Sequence, residues 1–157
     1  MVSELRIPTV VLNAEVECAD GRRFTGRIFI PAASPRHPGP TRPEEWLNEA
    51  APFFPFLPDD ASGPVLMNKR ELLVVSVPAS ADDGDLPEGA ANPVRRVALE
   101  AEKRRIEGTL VIDMPQNQLR VLDYLNRPEA FVTLRDGAVH HLVQKERITR
   151  VTELLEG

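Results

Sequence analysis

Apolar and polar positions alternate along much of this chain, and the alternation runs through the same order twice. Residues 10–16 alternate as a strand with one buried face should. Asp20-Gly21 then marks a tight turn, because glycine accepts the positive φ such turns demand. After it Phe24, Gly26, Ile28 and Ile30 share one face, with Thr25, Arg27 and Phe29 on the other. Further strands are predicted over 53–57, 65–68 and 72–77. The second round places Ile106, Gly108, Leu110 and Ile112 on an inner face, followed by strands over 131–134, 142–145 and 148–154.

Between the second and third strands of each round the period lengthens to that of a short helix. Thr41-Arg42-Pro43-Glu44 has capping-box spacing, with Trp46 and Leu47 as apolar anchors and Asn48 as a stop. In the second round Leu119, Val121, Leu122 and Leu125 supply the apolar face, Tyr124 stands where Trp46 did, and Arg127-Pro128 closes the segment.

The residues themselves repeat. Arg22-Arg23-Phe24-Thr25-Gly26-Arg27-Ile28 answers Arg104-Arg105-Ile106-Glu107-Gly108-Thr109-Leu110, and Trp46-Leu47-Asn48 answers Tyr124-Leu125-Asn126. Asn68-Lys69-Arg70-Glu71-Leu72 answers Gln144-Lys145-Glu146-Arg147-Ile148. The lead-in segments 10–15 and 97–102 also align by type. A fixed internal repeat sets the architecture before any other argument. The segment 97–105 is the exception, since it is rich in helix formers and its helix and strand readings both stand; its counterpart favours a strand. Matched Gly26 and Gly108 inside strands are the device by which a small sheet bends sharply.

Five short strands and one helix per round predict a tandem duplication of a small five-stranded barrel of the SH3/Sm kind, with approximate two-fold symmetry. The expected domains are a first repeat over 1–77 with a proline-rich loop at 31–43, an acidic linker over 78–93, and a second repeat over 94–157. The prolines of the loop favour extended, loosely packed backbone, and their spacing also suits a polyproline ligand.

Composition narrows the functional classes. Of the net charge of −5, the linker contributes four acidic residues and no basic one, while 1–77 carries 8 basic and 10 acidic side chains and 94–157 carries 11 and 10. Neither repeat has the basic excess of a nucleic-acid binder. One cysteine precludes an internal disulfide and fits a reducing cytoplasm. No apolar run suits a signal peptide or a membrane span, so a soluble cytoplasmic protein is expected.

No catalytic, cofactor-binding or metal-binding residues are nominated. His140 and His141 are strand neighbours that point to opposite faces, and Cys18 has no counterpart in the second repeat. Neither a phosphate loop nor a nucleophile elbow is present. The candidates are instead interaction residues. Arg22, Arg23, Arg104 and Arg105 recur as a basic tetrad, balanced in sequence by Glu17, Asp20, Glu102 and Glu107. Lys69 and Lys145 recur as turn lysines, and Trp46 and Tyr124 are expected to plug each barrel mouth. The apolar strands 72–77 and 148–154 are expected to be open edges for self-association, with Val75 and Val151 central to them.

The second repeat resembles an uncharacterised bacterial family that carries I-x-G-x-L, then R-L-S-D-x-L-N, then K-x-x-I-x-x-V. Here these appear as Ile106-Glu107-Gly108-Thr109-Leu110, Arg120-Val121-Leu122-Asp123-Tyr124-Leu125-Asn126 and Lys145-Glu146-Arg147-Ile148-Thr149-Arg150-Val151. The first repeat is a degenerate copy that keeps Arg42, Glu45, Leu47 and Asn48 but departs at Pro43 and Trp46. A looser resemblance runs to Sm-like barrels through the last two strands of each repeat. The Arg-Gly step that the Sm RNA pocket requires is replaced by Asn68-Lys69-Arg70-Glu71 and Gln144-Lys145-Glu146-Arg147. The expected function is a non-catalytic protein-interaction or scaffold module. The alternative is a nucleic-acid-binding Sm-like protein acting through the duplicated arginine pair. A small-ligand sensor with a pocket between the halves near Trp46 and Tyr124 is a third reading.

Overall fold

The computed structural model describes residues 8–60, 62–79, 94–112 and 120–154. Most of the acidic linker, the loop at 113–118 and Leu119 lie outside the described residues. The first half contains β1 (Thr9–Cys18), β2 (Arg23–Pro31), α1 (Pro43–Leu47), β3 (Phe53–Pro58), β4 (Val65–Asn68) and β5 (Leu72–Pro78). The second contains β6 (Val94–Ala101), β7 (Arg104–Val111), α2 (Val121–Leu125), β8 (Phe131–Asp136), β9 (Val139–Gln144) and β10 (Ile148–Glu153). A single 3-10 turn, Lys69–Glu71 or Lys145–Arg147, precedes the last strand of each half.

The ten strands form one mainly antiparallel, open architecture in the order β10-β6-β7-β8-β9-β5-β1-β2-β3-β4. Each half supplies five contiguous strands in the same internal order. The halves are welded by β5 against β9, with Val74 opposite Val143, Val75 opposite Leu142 and Ser76 opposite His141. Two expectations are corrected here. Two-fold packing would set like strand against like, whereas the fifth strand of one half meets the fourth of the other. In addition, 72–77 is not an edge, because β5 is held by β1 on one side and β9 on the other. The burial of β5 makes sense of its composition: Leu72, Leu73, Val74, Val75 and Val77 are all enclosed, as in a strand covered on both faces.

Local chemistry sets the turns. Gly21 adopts φ of +95° after β1, and the Asp20 carboxylate accepts from the Arg22 backbone N–H at 3.0 Å. The ambiguous segment resolves as strand β6. Pairing with both β7 and β10 buries Val97, Leu99 and Ala101, which outweighs their neighbours' helix propensity. The β6–β7 turn is so tight that Glu102 takes a positive φ of 54°.

Register also corrects the equivalence of the lead-in strands. Val16 faces Phe24 and Leu99 faces Ile106, so Val16 matches Leu99 and the two segments slide past the alignment read from sequence. The slip is an even number of positions. Every side chain keeps its face, and alternation alone could not expose it.

Gly26 and Gly108 are required by close approach. A Cβ on Gly26 would lie 2.2 Å from the Leu57 carbonyl oxygen, and one on Gly108 would lie 2.7 Å from that of Arg135. Each glycine lets the second strand of its half press onto the third.

Two apolar clusters lie on the sheet. One gathers Val16, Ile28, Ile30, Leu47, Phe56 and Leu72; the other gathers Val97, Leu99, Leu110, Ile112, Leu134 and Val143. A register shift beside Glu17 and Cys18 inserts an extra residue into β5. The strand thus sends Leu72, Val75 and Val77 to the first cluster and Leu73 and Val74 to the second.

At α1 the expected cap is displaced by one residue. Arg42 is the N-cap and its backbone N–H donates to Glu45 at 3.1 Å, while Thr41 is buried and donates its hydroxyl to the Ala33 carbonyl at 3.2 Å. In α2 Leu122 does not join the apolar face. It is 59% exposed.

Candidate functional site

The junction between the halves is where the repeated motifs converge. Asn48 ends α1 and turns its side chain onto the backbone of Phe131 at the start of β8. Its amide donates to the Phe131 carbonyl at 3.2 Å, and its oxygen accepts from the Phe131 N–H at 2.8 Å. Gln144, at the end of β9, donates to the carbonyls of Lys69 at 3.1 Å and Leu72 at 2.5 Å. Arg147 reaches the Arg70 carbonyl at 2.6 Å, the Thr133 hydroxyl donates to Glu44, and the Ser76 hydroxyl lies 2.7 Å from His141 Nδ1. Phe131 and Leu142 belong to the second half yet pack in the first half's cluster. An open cleft of about 430 Å³ lies above this seam, lined by Asn48, Lys69, Phe131 and Gln144 among others. Neither Trp46 nor Tyr124 lines this cleft.

The arginine tetrad is dispersed among carboxylates. Arg22 pairs with Asp20 at 2.8 Å, Arg23 with Glu17 at 3.3 Å and Arg105 with Glu107 at 3.1 Å. Arg104 crosses the junction to the same Glu17, itself buried. Glu102, counted with this group in sequence, faces Arg147 at 3.6 Å instead. Arg23 and Arg104 are thus brought together by a shared anion already within the fold.

Trp46 is buried and meets Phe54 edge to face at 5.0 Å. Tyr124 is half-buried against the second cluster, with the Arg127 guanidinium 5.1 Å from its ring centre. The recurring lysines have one shared task. Lys69 Nζ donates to the Glu49 carbonyl at 2.9 Å, and Lys145 Nζ donates to the Leu125 carbonyl at 3.1 Å and to that of Arg127 at 2.5 Å. Each ties the end of the short helix to the 3-10 turn, and burial pulls both ammonium groups below the usual lysine pKa.

His140 is buried and His141 half-buried, and among the described residues no cluster of three or more His, Cys, Asp or Glu is placed to hold a metal. Cys18 is buried in the first cluster, and burial, then the Asp20 carboxylate, pushes its thiol pKa up, away from a reactive thiolate. No described helix is long and apolar enough to cross a membrane.

The proline-rich loop folds back onto α1. Ser34 donates its hydroxyl to Glu45 at 2.9 Å, His37 bonds the same carboxylate through Nε2, and His37 Nδ1 lies 2.9 Å from the Pro38 carbonyl. With an acceptor at each ring nitrogen, the imidazolium is favoured: the Pro38 carbonyl first and then Glu45 raise the His37 pKa above the usual histidine value. Burial raises that of Glu45, but bonds from His37, the Arg42 backbone and Ser34 outweigh it and hold the carboxyl below its usual range. Glu45's share of the anchoring is lost as pH falls through its depressed pKa, and His37's share is lost as pH rises through its raised one. The loop is therefore most firmly docked between them. Histidine titration by NMR is expected to place His37 above its ordinary range and to return it toward normal in Glu45→Gln. An unchanged His37 titration in that variant would remove the pair as the anchor.

Val75 and Val151 occupy unequal places. Val75 is 1% exposed in mid-sheet, while Val151 lies half-buried on β10, an edge among the described strands. The opposite edge is β4, which the pattern of the sequence did not single out. There Leu66 is 72% exposed and Phe53, on adjoining β3, 52% exposed. No protein-family model, curated protein or solved structure matches the chain.

Proposed function

We propose that the chain is a non-catalytic protein-interaction or scaffold module, made of two SH3/Sm-like five-stranded units over 1–77 and 94–157 and working in the cytoplasm. The observation that carries this reading is the pair of sheet edges, β4 and β10, that are unpaired among the described residues, with Phe53, Val65 and Leu66 exposed at the first. An edge strand offers a row of backbone donors and acceptors to a partner chain, and exposed Leu66 and Phe53 add the apolar contact that stabilises such a docking. Repeated polar residues serve internal roles: Lys69 and Lys145 fasten the helices, and each arginine of the tetrad faces a carboxylate. Those ion pairs weigh against the Sm-like nucleic-acid reading, which needs free cations for phosphate.

The test is recovery of companions of the tagged protein from its own host, with and without nuclease. Companions that survive nuclease and are lost with Leu66→Lys are expected. Companions lost on nuclease, or indifferent to substitution at both Leu66 and Val151, would overturn the reading.

A further inference from the structure

The inner junction is a template whose two halves recur, unfilled, at the ends of the sheet. Phe53 and Phe131 each open the third strand of their half, opposite Asn68 and Gln144 respectively. Phe131 is 3% exposed and packs in the neighbouring cluster; its equivalent Phe53 is 52% exposed at the rim of the cleft and belongs to neither cluster of the described residues. Leu142 and Leu66 repeat the contrast, at 1% and 72% exposed. At the other end of the sheet Asn126 caps α2 as Asn48 caps α1, but is exposed and holds no equivalent of Phe131 among the described residues.

One pair of positions changes in concert. Across the inner junction Glu44 accepts from Thr133. The equivalents are Leu122, second residue of α2, and Pro55, third residue of β3, both exposed. A polar pair within the chain thus corresponds to an apolar pair split between the ends of the sheet. An exposed leucine on one end and an exposed proline on the other are what a contact between copies would use.

We infer that a second copy of this chain docks head to tail, with β10 and α2 of one copy against β4 and β3 of the next, in the geometry of the β5–β9 junction. The inference rests on the interaction-module reading and names its partner. Carrying over the inner register, Arg150 lies opposite Met67, Val151 opposite Leu66 and Thr152 opposite Val65. Leu66 and Phe53 enter the neighbour's second cluster beside Val151 and Ile148, Asn126 clamps the Phe53 backbone, and Leu122 meets Pro55. Because unlike surfaces meet, the contact propagates, closing into a ring or extending as a filament. The outer contact is weaker than the inner one. Where β5 inserts Leu73 and Val74, β10 offers exposed Thr149 and Arg150, the latter paired with Glu100. Association is therefore reversible and concentration-dependent.

Sedimentation of the purified full chain, together with cysteine pairing, tests this. Residues directly opposite in an antiparallel ladder have Cα atoms about 4.5–5.5 Å apart, within disulfide reach. Val65→Cys and Thr152→Cys, both at exposed positions, are made separately and mixed under mild oxidation; buried Cys18 does not compete. The expected result is a covalent dimer from the mixture and from neither variant alone. The double variant gives a ladder of higher multiples. Leu66→Lys should weaken association by about tenfold or more, moving the sedimenting species toward monomer. Cross-linking of either single variant with itself would replace the head-to-tail contact by a two-fold one and overturn the proposal. A monomer at all concentrations would overturn it too. If Leu66-dependent, nuclease-resistant companions are then still recovered, the interaction-module reading stands without self-assembly; if they are absent, both fall.

Discussion

Val75→Asp is expected to abolish cooperative folding, while Val151→Asp at the matching position leaves a folded chain. Val75 sits opposite Val16 on one side and Leu142 on the other, 1% exposed within the first cluster. A carboxylate there must be buried without a built partner or be protonated, and it leaves the methyl contacts of a packed strand unmade. Uncompensated burial of this kind costs roughly 3–5 kcal/mol or more, comparable to the whole stability of an ordinary domain at about 5–15 kcal/mol. Among the described strands Val151 has a neighbour on one side only, opposite Leu99, and it is half-exposed. Its aspartate stays in contact with water, and the expected loss is about 1–2 kcal/mol, within the range of ordinary substitutions. Urea unfolding followed by circular dichroism separates the two. A Val75→Asp chain with a near-normal midpoint would mean that β5 is not an interior strand.

That contrast marks where the sequence was readable and where it was not. Alternation and a bordering turn at Asp20-Gly21 located β1 and β2, and short apolar runs located β3, β4 and β5. The paired glycines were read as bends; what requires them is close approach, with a carbonyl oxygen pressed against each. Pairing between distant strands was not legible. Residues 72–77 are apolar but for Ser76, which fits an exposed adhesive edge and a buried central strand equally well. Only the β5–β9 contact decides between them. The partners of the arginine tetrad were not legible for a related reason: Arg104 meets Glu17 across the junction, a contact between residues far apart in the chain. Asn48 was visible as a recurring helix stop, but its bond to Phe131 belongs to the way the halves meet. Leu122 was assigned to a buried face because a helical period cannot tell a core from an outward contact.

The two phenylalanines that open β3 and β8 provide the second large effect, because one residue type at equivalent positions stands in opposite surroundings. Phe131→Ala is expected to cost roughly 3–5 kcal/mol, the usual loss for a large aromatic removed from a packed interior. Its ring fills the first half's cluster, so the cavity opens in the half that does not contain the residue. The Asn48 bonds go to its backbone and survive the substitution, leaving the loss to packing alone. Both halves should register it: in the unaltered chain β5 feeds both clusters and the halves unfold together, whereas the variant unfolds at lower urea with a broadened or divided transition. Phe53→Ala removes a ring that is 52% exposed and should shift the midpoint by less than about 1 kcal/mol. Equal losses in the two variants would mean that Phe53 is already packed within its own chain and is not free to meet a partner beside the β4 edge.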